Sequence, residues 1–259
     1  MKICLDAGHG EGYNPSPCGY GYAEGTRMFE FQRYLEAALE QYEGVEVVCT
    51  RGKVTDDLSL FARAQVGAGC DLLLSLHSNA AGSGVAEGTD YVAVFASVHA
   101  TAEQLELANE LSEAVAECMG TKQPPQVHQW WNSAKTADYM GVIRHAHTLG
   151  VPAMLIEHSF HTDTRVTKWL MDDVNLKALA ETEAAVIARH YNLKKEDEEM
   201  RYKHLKDIPK NYREETIDRL VARGIIAGKG GEGEDLIVDL GEDAVRVLIY
   251  LDRAGVFEK

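Results

Sequence analysis

Five consecutive positions, Leu72-Leu73-Leu74-Ser75-Leu76, constrain the fold of this chain more than any other stretch. A run this short and this continuously apolar suits a strand with both faces covered, whereas a strand with one wet face alternates. The expected central strand spans 71–77, and four more short apolar runs lie at 2–7, 45–50, 89–95 and 152–157. Between the runs come longer amphipathic stretches at 26–42, 58–68, 101–119 and 173–191. In the third of these, Leu105, Ala108, Leu111, Val115 and Cys118 recur at steps of three and four, giving a helix one apolar stripe. Strands alternating with helices predict an α/β domain: a mostly parallel central sheet flanked by helices on both faces.

A charge run, Lys194-Lys195-Glu196-Asp197-Glu198-Glu199, follows the last of these helices and reads as a linker over 194–200. It separates a domain at 1–193 from a small helical domain at 201–259. Charge divides the same way. Residues 200–259 hold 11 basic and 12 acidic side chains, so −14 of the formal −15 sits on residues 1–199. So acidic a surface is unsuited to nucleic-acid backbones and is not drawn to other polyanions.

No run of eighteen apolar residues is present, so no membrane span is expected. The apolar stretch at the N-terminus is too short for a signal peptide, which predicts a chain made in the cytoplasm. Five scattered cysteines with no CxxC pair argue against a cysteine metal cluster and for a reduced origin.

Ligands of open α/β sheets bind at the carboxyl ends of the strands. The first strand ends in Asp6-Ala7-Gly8-His9-Gly10, the central one in His77-Ser78-Asn79 and the last in Glu157-His158-Ser159. Two histidines and a glutamate therefore converge on one sheet edge. Two neutral imidazoles and a carboxylate make a catalytic zinc site with one position open. Hydrolysis there needs a second carboxylate as base, and Glu24 and Glu157 are the two on offer. The spacing alone does not assign which one ligates and which acts as base.

The segments Leu5-Asp6-Ala7-Gly8-His9-Gly10, Leu74-Ser75-Leu76-His77-Ser78-Asn79-Ala80 and Val151-Pro152-Ala153-Met154-Leu155-Ile156-Glu157-His158-Ser159-Phe160 resemble the three signature segments of the N-acetylmuramoyl-L-alanine amidase family 3. Glu24-Gly25-Thr26 followed by Phe29 and Leu35, together with Thr50-Arg51 and Arg63, also resembles that family's pattern, and the likeness covers about 1–192. The resemblance implies zinc held by His9, Glu24 and His77, and Glu157 as the catalytic glutamate. It also implies hydrolysis of the amide between N-acetylmuramic acid and L-alanine in bacterial peptidoglycan. The alternatives are another zinc peptidase acting on wall stem peptides and a wall-binding protein without catalysis.

After Glu157 this chain carries His158 and His161, where family members more often have a small residue and then Asn; the extra histidines read as space-filling. His145 and His147 read as surface or supporting residues, and Gln129-Trp130-Trp131-Asn132 as an aromatic loop that either packs or stacks on substrate.

In 201–259, a helical pattern through Tyr212, Thr216, Leu220 and Val221 closes at Arg223-Gly224, and Gly224-Ile225-Ile226-Ala227-Gly228 follows. A second helix is expected over 242–254, with Val245, Leu248, Ile249 and Leu251 on its buried side. The order resembles one repeat of the S-layer-homology type, which implies binding to a wall polymer or self-association. With catalytic domain first, small module last and no export signal, the chain resembles a phage or prophage endolysin. Such a protein acts on the cell wall after release across the membrane by another protein.

Overall fold

The computed structural model describes residues 1–195 and 201–257. Three strands, β1 (Lys2–Ala7), β2 (Glu46–Cys49) and β3 (Leu72–Asn79), form in the order of their apolar runs, and helices α1 (Glu24–Leu39) and α2 (Leu60–Val66) connect them. Then come β4 (Ala93–Ala96), α3 (Ala102–Met119), β5 (Gln126–His128), α4 (Gly141–Thr148), β6 (Ala153–Phe160), α5 (Thr164–Leu170) and α6 (Asp173–His190). The six strands lie in the order β2-β1-β3-β6-β4-β5, all neighbours parallel except the antiparallel pair β4 and β6.

Both faces are covered, as the central strand demands. Ile3, Leu5, Leu72, Leu74 and Leu76 enter the larger core with residues of α1, α3 and α6. Cys4, Leu73 and Leu155 turn to a smaller core shared with Ala64 of α2 and with Val142, Ile143 and Ala146 of α4. The residues expected to form a strand from 89 begin it only at Ala93, because Asp90 is buried and takes both Nε and Nη2 of Arg165. The strand β5 and the helices α4 and α5 were not expected from the sequence pattern. Each gives few periods to read, and α2, as short as α5, was legible only within the longer amphipathic stretch 58–68.

Contacts divide the chain into two units, Met1–Lys195 and Glu196–Lys259. Of the residues expected as a linker, Lys194 still accepts a hydrogen bond from the Glu43 amide at 2.8 Å, and 196–200 lie outside the described residues. In the second unit, β7 (Arg201–His204) pairs antiparallel with β8 (Ile237–Gly241) beside two helical stretches. One runs through α7 (Lys210–Tyr212), a π-helical segment (Arg213–Ile217) and α8 (Asp218–Ala222); the other is α9 (Glu242–Arg253).

One expectation for α9 is corrected. Val245 and Ile249 are buried and Leu248 partly so, but Leu251 is exposed and Asp252 takes the inner position. Seven residues bring a helix back to nearly the same face, so 252 falls beneath 245 where 251 does not. The Asp252 carboxylate is satisfied there by the Thr216 hydroxyl at 2.9 Å and by Arg219.

Candidate metal centre

The loop after β1 is fixed by one buried ion pair. Asp6 accepts from Arg63 at 2.8 Å, from Thr50 at 2.7 Å and from Ser75 at 2.6 Å, so its charge is fully compensated. The same guanidinium donates to the carbonyls of Ala7 (2.6 Å) and His9 (2.8 Å). These bonds hold His9 at φ 59°, a left-handed conformation that costs a non-glycine residue about 1 kcal/mol or more. Arg51 donates to the Gly25 carbonyl at 2.6 Å and so ties the start of α1 to the same loop. Two glycines permit the approach. A Cβ on Gly8 would stand 2.3 Å from the His77 ring, and one on Gly25 would stand 1.8 Å from the Gly10 carbonyl oxygen.

Within this frame, His9, Glu24 and His77 each present one ligand atom, and all three atoms lie within 4.8 Å of one another. His77 donates through Nδ1 to Glu24 Oε1 at 2.9 Å, and His9 Nε2 lies 3.5 Å from the same oxygen. The Ser78 amide also donates to Oε1, at 3.1 Å. The side-chain amide of Asn14 donates to Glu24 Oε2 at 2.8 Å and faces His9 Nε2 at 3.1 Å. Asn14 thus touches two of the three donors. Sequence reasoning missed it, because it sits in an irregular polar loop with no periodic signal.

Electrostatics follow from burial and pairing. Burial opposes ionisation of Glu24, but its bonds to His77 and His9 outweigh that and hold its carboxyl well below the usual range. Burial likewise disfavours the His77 imidazolium, yet Glu24 raises His77 to about 9.

Glu157 stands beside His77, its partner in the β3–β6 register. Its Oε2 is buried with no hydrogen-bond partner, and burial, aided by the nearby Glu24 charge, pushes its carboxyl up to about 7. A buried carboxyl oxygen without a partner is costly to keep. The four residues line one cavity of about 200 Å³ together with Asn14, Ser78 and His161. A larger neighbouring cavity, about 300 Å³, shares His9 and His77 and is walled by Leu58, Leu60, Met140 and Val142.

Just past Glu157 the register slips, with His77 opposite Glu157 but Asn79 opposite Phe160, and Ser159 takes φ 57°. A bulge next to a site re-aims side chains. His158 points away from the cavity. It is wholly buried, bonded through Nε2 to Glu183 at 2.6 Å and through Nδ1 to the His77 carbonyl at 2.8 Å. His161 lines the cavity, stacks on Tyr22 with centroids 5.5 Å apart and meets the Ser78 hydroxyl at 2.9 Å. Both histidines are bonded parts of the frame rather than mere filling. His145 and His147 lie on α4, where His147 stacks on His99 at 4.2 Å.

The donor set fits a divalent ion of zinc type: two imidazoles and one carboxylate, with a partnerless buried carboxyl beside them. A sheet edge so equipped is the kind of site that metal-dependent hydrolases use. The family model described as N-acetylmuramoyl-L-alanine amidase matches residues 3–189, and the chain belongs to that family.

Solved structures share the fold of this region. The catalytic domain of CwlV, an N-acetylmuramoyl-L-alanine amidase from Bacillus (Paenibacillus) polymyxa var. colistinus, is 21% identical with a TM-score of 0.61, over 75% of this chain and 99% of that one. An N-acetylmuramoyl-L-alanine amidase from Clostridium difficile 630 is 21% identical with a TM-score of 0.63, over 74% and 97%. The amidase AmiC2 of Nostoc punctiforme is 18% identical with a TM-score of 0.61, over 74% and 97%. No curated protein matches the chain.

Proposed function

We propose that this chain hydrolyses the amide joining the lactyl group of N-acetylmuramic acid to L-alanine in bacterial peptidoglycan, with zinc held by His9, Glu24 and His77. The observation that carries the reading is the cluster of those three donors with the partnerless Oε2 of Glu157 in the same cavity. When bound, zinc supplies Lewis acidity: it makes water a better proton donor and polarises a carbonyl.

The chain's own residues supply the rest. Glu157, in the same cavity as the three donors, takes a proton from the attacking water and returns it to the leaving nitrogen of L-alanine. Asn14 and the Ser78 amide keep the Glu24 carboxylate oriented. Arg63, through Asp6 and the His9 carbonyl, keeps His9 turned toward it.

Metal analysis of the purified protein, joined to mass spectrometry of digested peptidoglycan, tests the proposal. The expected products are stem peptides with a free N-terminal L-alanine and glycan with intact lactyl carboxyls. Cuts within the stem peptide instead would make the chain a different zinc peptidase.

For residues 201–259 we propose a targeting role, binding a wall polymer that the acidic first unit does not attract by charge. This accords with an endolysin that reaches the wall after release across the membrane by another protein. Removing residues 200–259 is expected to spare cleavage of soluble fragments and weaken action on whole walls. Undiminished potency on whole walls removes the targeting role.

A further inference from the structure

Unit Met1–Lys195 exposes a group of large aromatic side chains that the hydrolytic centre does not use. Trp130 is 47% exposed and Tyr139 is 56% exposed, and their rings meet edge to face at 6.0 Å. Both sit on the loop between β5 and α4, and that loop is rigidly built. The Tyr139 amide donates to the Trp130 carbonyl at 2.8 Å, and the Asn132 amide to the Ala137 carbonyl at 2.8 Å. Asp138, 2% exposed, accepts from the Val98 amide at 2.6 Å and from the Ser97 hydroxyl at 3.0 Å, which pins the loop to the end of β4. Arg144 of α4 donates to the Asp138 carbonyl at 2.8 Å. Beneath, Phe95 of the smaller core meets the Trp130 ring edge to face at 4.8 Å. Large apolar rings are thus held in water by a scaffold that spends several buried hydrogen bonds on keeping them there.

This loop adjoins the candidate metal centre. Met140 and Gly141, directly after Tyr139, wall the cavity of about 300 Å³ that also contains His9 and His77. Leu60, which packs at Gly141, is half exposed. Met140, partly buried against the smaller core, thus lines the cavity of the two histidines and adjoins exposed Tyr139 in the chain.

We propose that Trp130 and Tyr139 form a stacking platform for the glycan strand of peptidoglycan, holding the sugars that flank the muramic acid whose amide is cut. The inference rests on the amidase reading above. Charge favours a sugar as the occupant. Residues 1–199 carry −14, so stem-peptide carboxylates are repelled, and affinity for the polymer has to come from its saccharide portion through ring stacking and hydrogen bonds. Indole and phenol rings each offer an apolar face and a polar donor, and they lose little freedom when they bind. A loop already fixed by its own hydrogen bonds keeps that cost low.

The test is calorimetric titration of the full chain, separately with N-acetylglucosamine oligomers, which carry no charge, and with isolated stem peptides. Trp130→Ala and Tyr139→Ala are each expected to weaken binding of the oligomers about tenfold, with Trp130→Tyr recovering most of the loss. The conservative rescue separates lost stacking from a damaged fold, and an unchanged unfolding midpoint in each alanine variant checks it. Glycan binding that survives both alanine substitutions lies elsewhere on the chain and overturns the platform. So does a loss confined to isolated stem peptides, which would assign the surface to peptide instead. Calorimetry requires no bond cleavage, so failure of the platform is read separately from failure of the amidase reading, which shows in the mass of the released products.

Discussion

Strands β3 and β6 carry the same chemistry on their two faces, with opposite outcomes. On one face His77 meets Glu24 at 2.9 Å, and the pair opens into a cavity with His9 and Glu157. On the other, one residue past Glu157, His158 meets Glu183 at 2.6 Å, and both are wholly sealed within the protein. An imidazole beside a carboxylate is thus no site by itself. What separates the two is a third donor and room for a ligand; a buried carboxyl oxygen without a hydrogen-bond partner occurs on both, Oε2 of Glu157 on the open face and Oε2 of Glu183 on the sealed one. The sealed pair has a different task, since His158 also holds the His77 carbonyl and so braces the open pair from behind.

The sharpest way to break this contrast is to neutralise one carboxylate on each face. Glu157→Gln is expected to lower turnover by roughly 10²–10⁴-fold while metal content is kept, whereas His77→Ala loses the metal as well. Turnover near the parent value in Glu157→Gln would remove that residue from proton transfer.

On the sealed face, Glu183→Ala leaves a buried imidazole without its partner and is expected to cost about 3–5 kcal/mol, read as a lower unfolding midpoint. Metal per folded chain should be unchanged. If metal is lost while the midpoint stays put, the sealed pair belongs to the ion site.

A smaller effect is expected from Gly8→Ala, whose methyl would press on the His77 ring. A displaced ligand of this kind weakens metal affinity by about 10–100-fold, as titration against a competing chelator would reveal. Parent-like affinity would mean that the ring relaxes freely.

The smallest concerns Asp163, which caps α5. Burial opposes its charge, but the amides of Gly88, Val166 and Arg165 outweigh that and bring it below its usual value of 3.8. A depressed folded-state value means stability that is present above the unfolded value and lost as pH falls through the folded one. Asp163→Asn should therefore flatten the acid limb of the stability curve, and an unchanged acid limb would show that the carboxylate's charge contributes nothing there.

Much of the candidate metal centre could be read from the chain because its residues lie where apolar runs stop. His9 follows β1, and His77 and Glu157 stand where the apolar runs of β3 and β6 stop, although those strands continue to Asn79 and Phe160. Glu24 was a candidate by its place at the start of the first helix, and its part as a ligand came only from the family resemblance. Asn14 was not legible, since its position depends on the path of a loop with no repeating pattern. Neither was the pairing of His158 with Glu183, 25 residues apart, which requires knowing that α6 packs behind β6. The reversed direction of β4 left no trace either, because a buried strand reads alike in both directions. In α9 the sequence pattern erred by one position, as Asp252 found partners that made burial tolerable and Leu251 was left outside.

The double contact of Asn14 has a practical corollary. The Asn14 side chain and the Ser78 amide hold Glu24, and the two cores on either side of the sheet, rather than an ion, carry the fold. A chelator should then silence the protein without unravelling it, and returning zinc should revive it within the time of mixing.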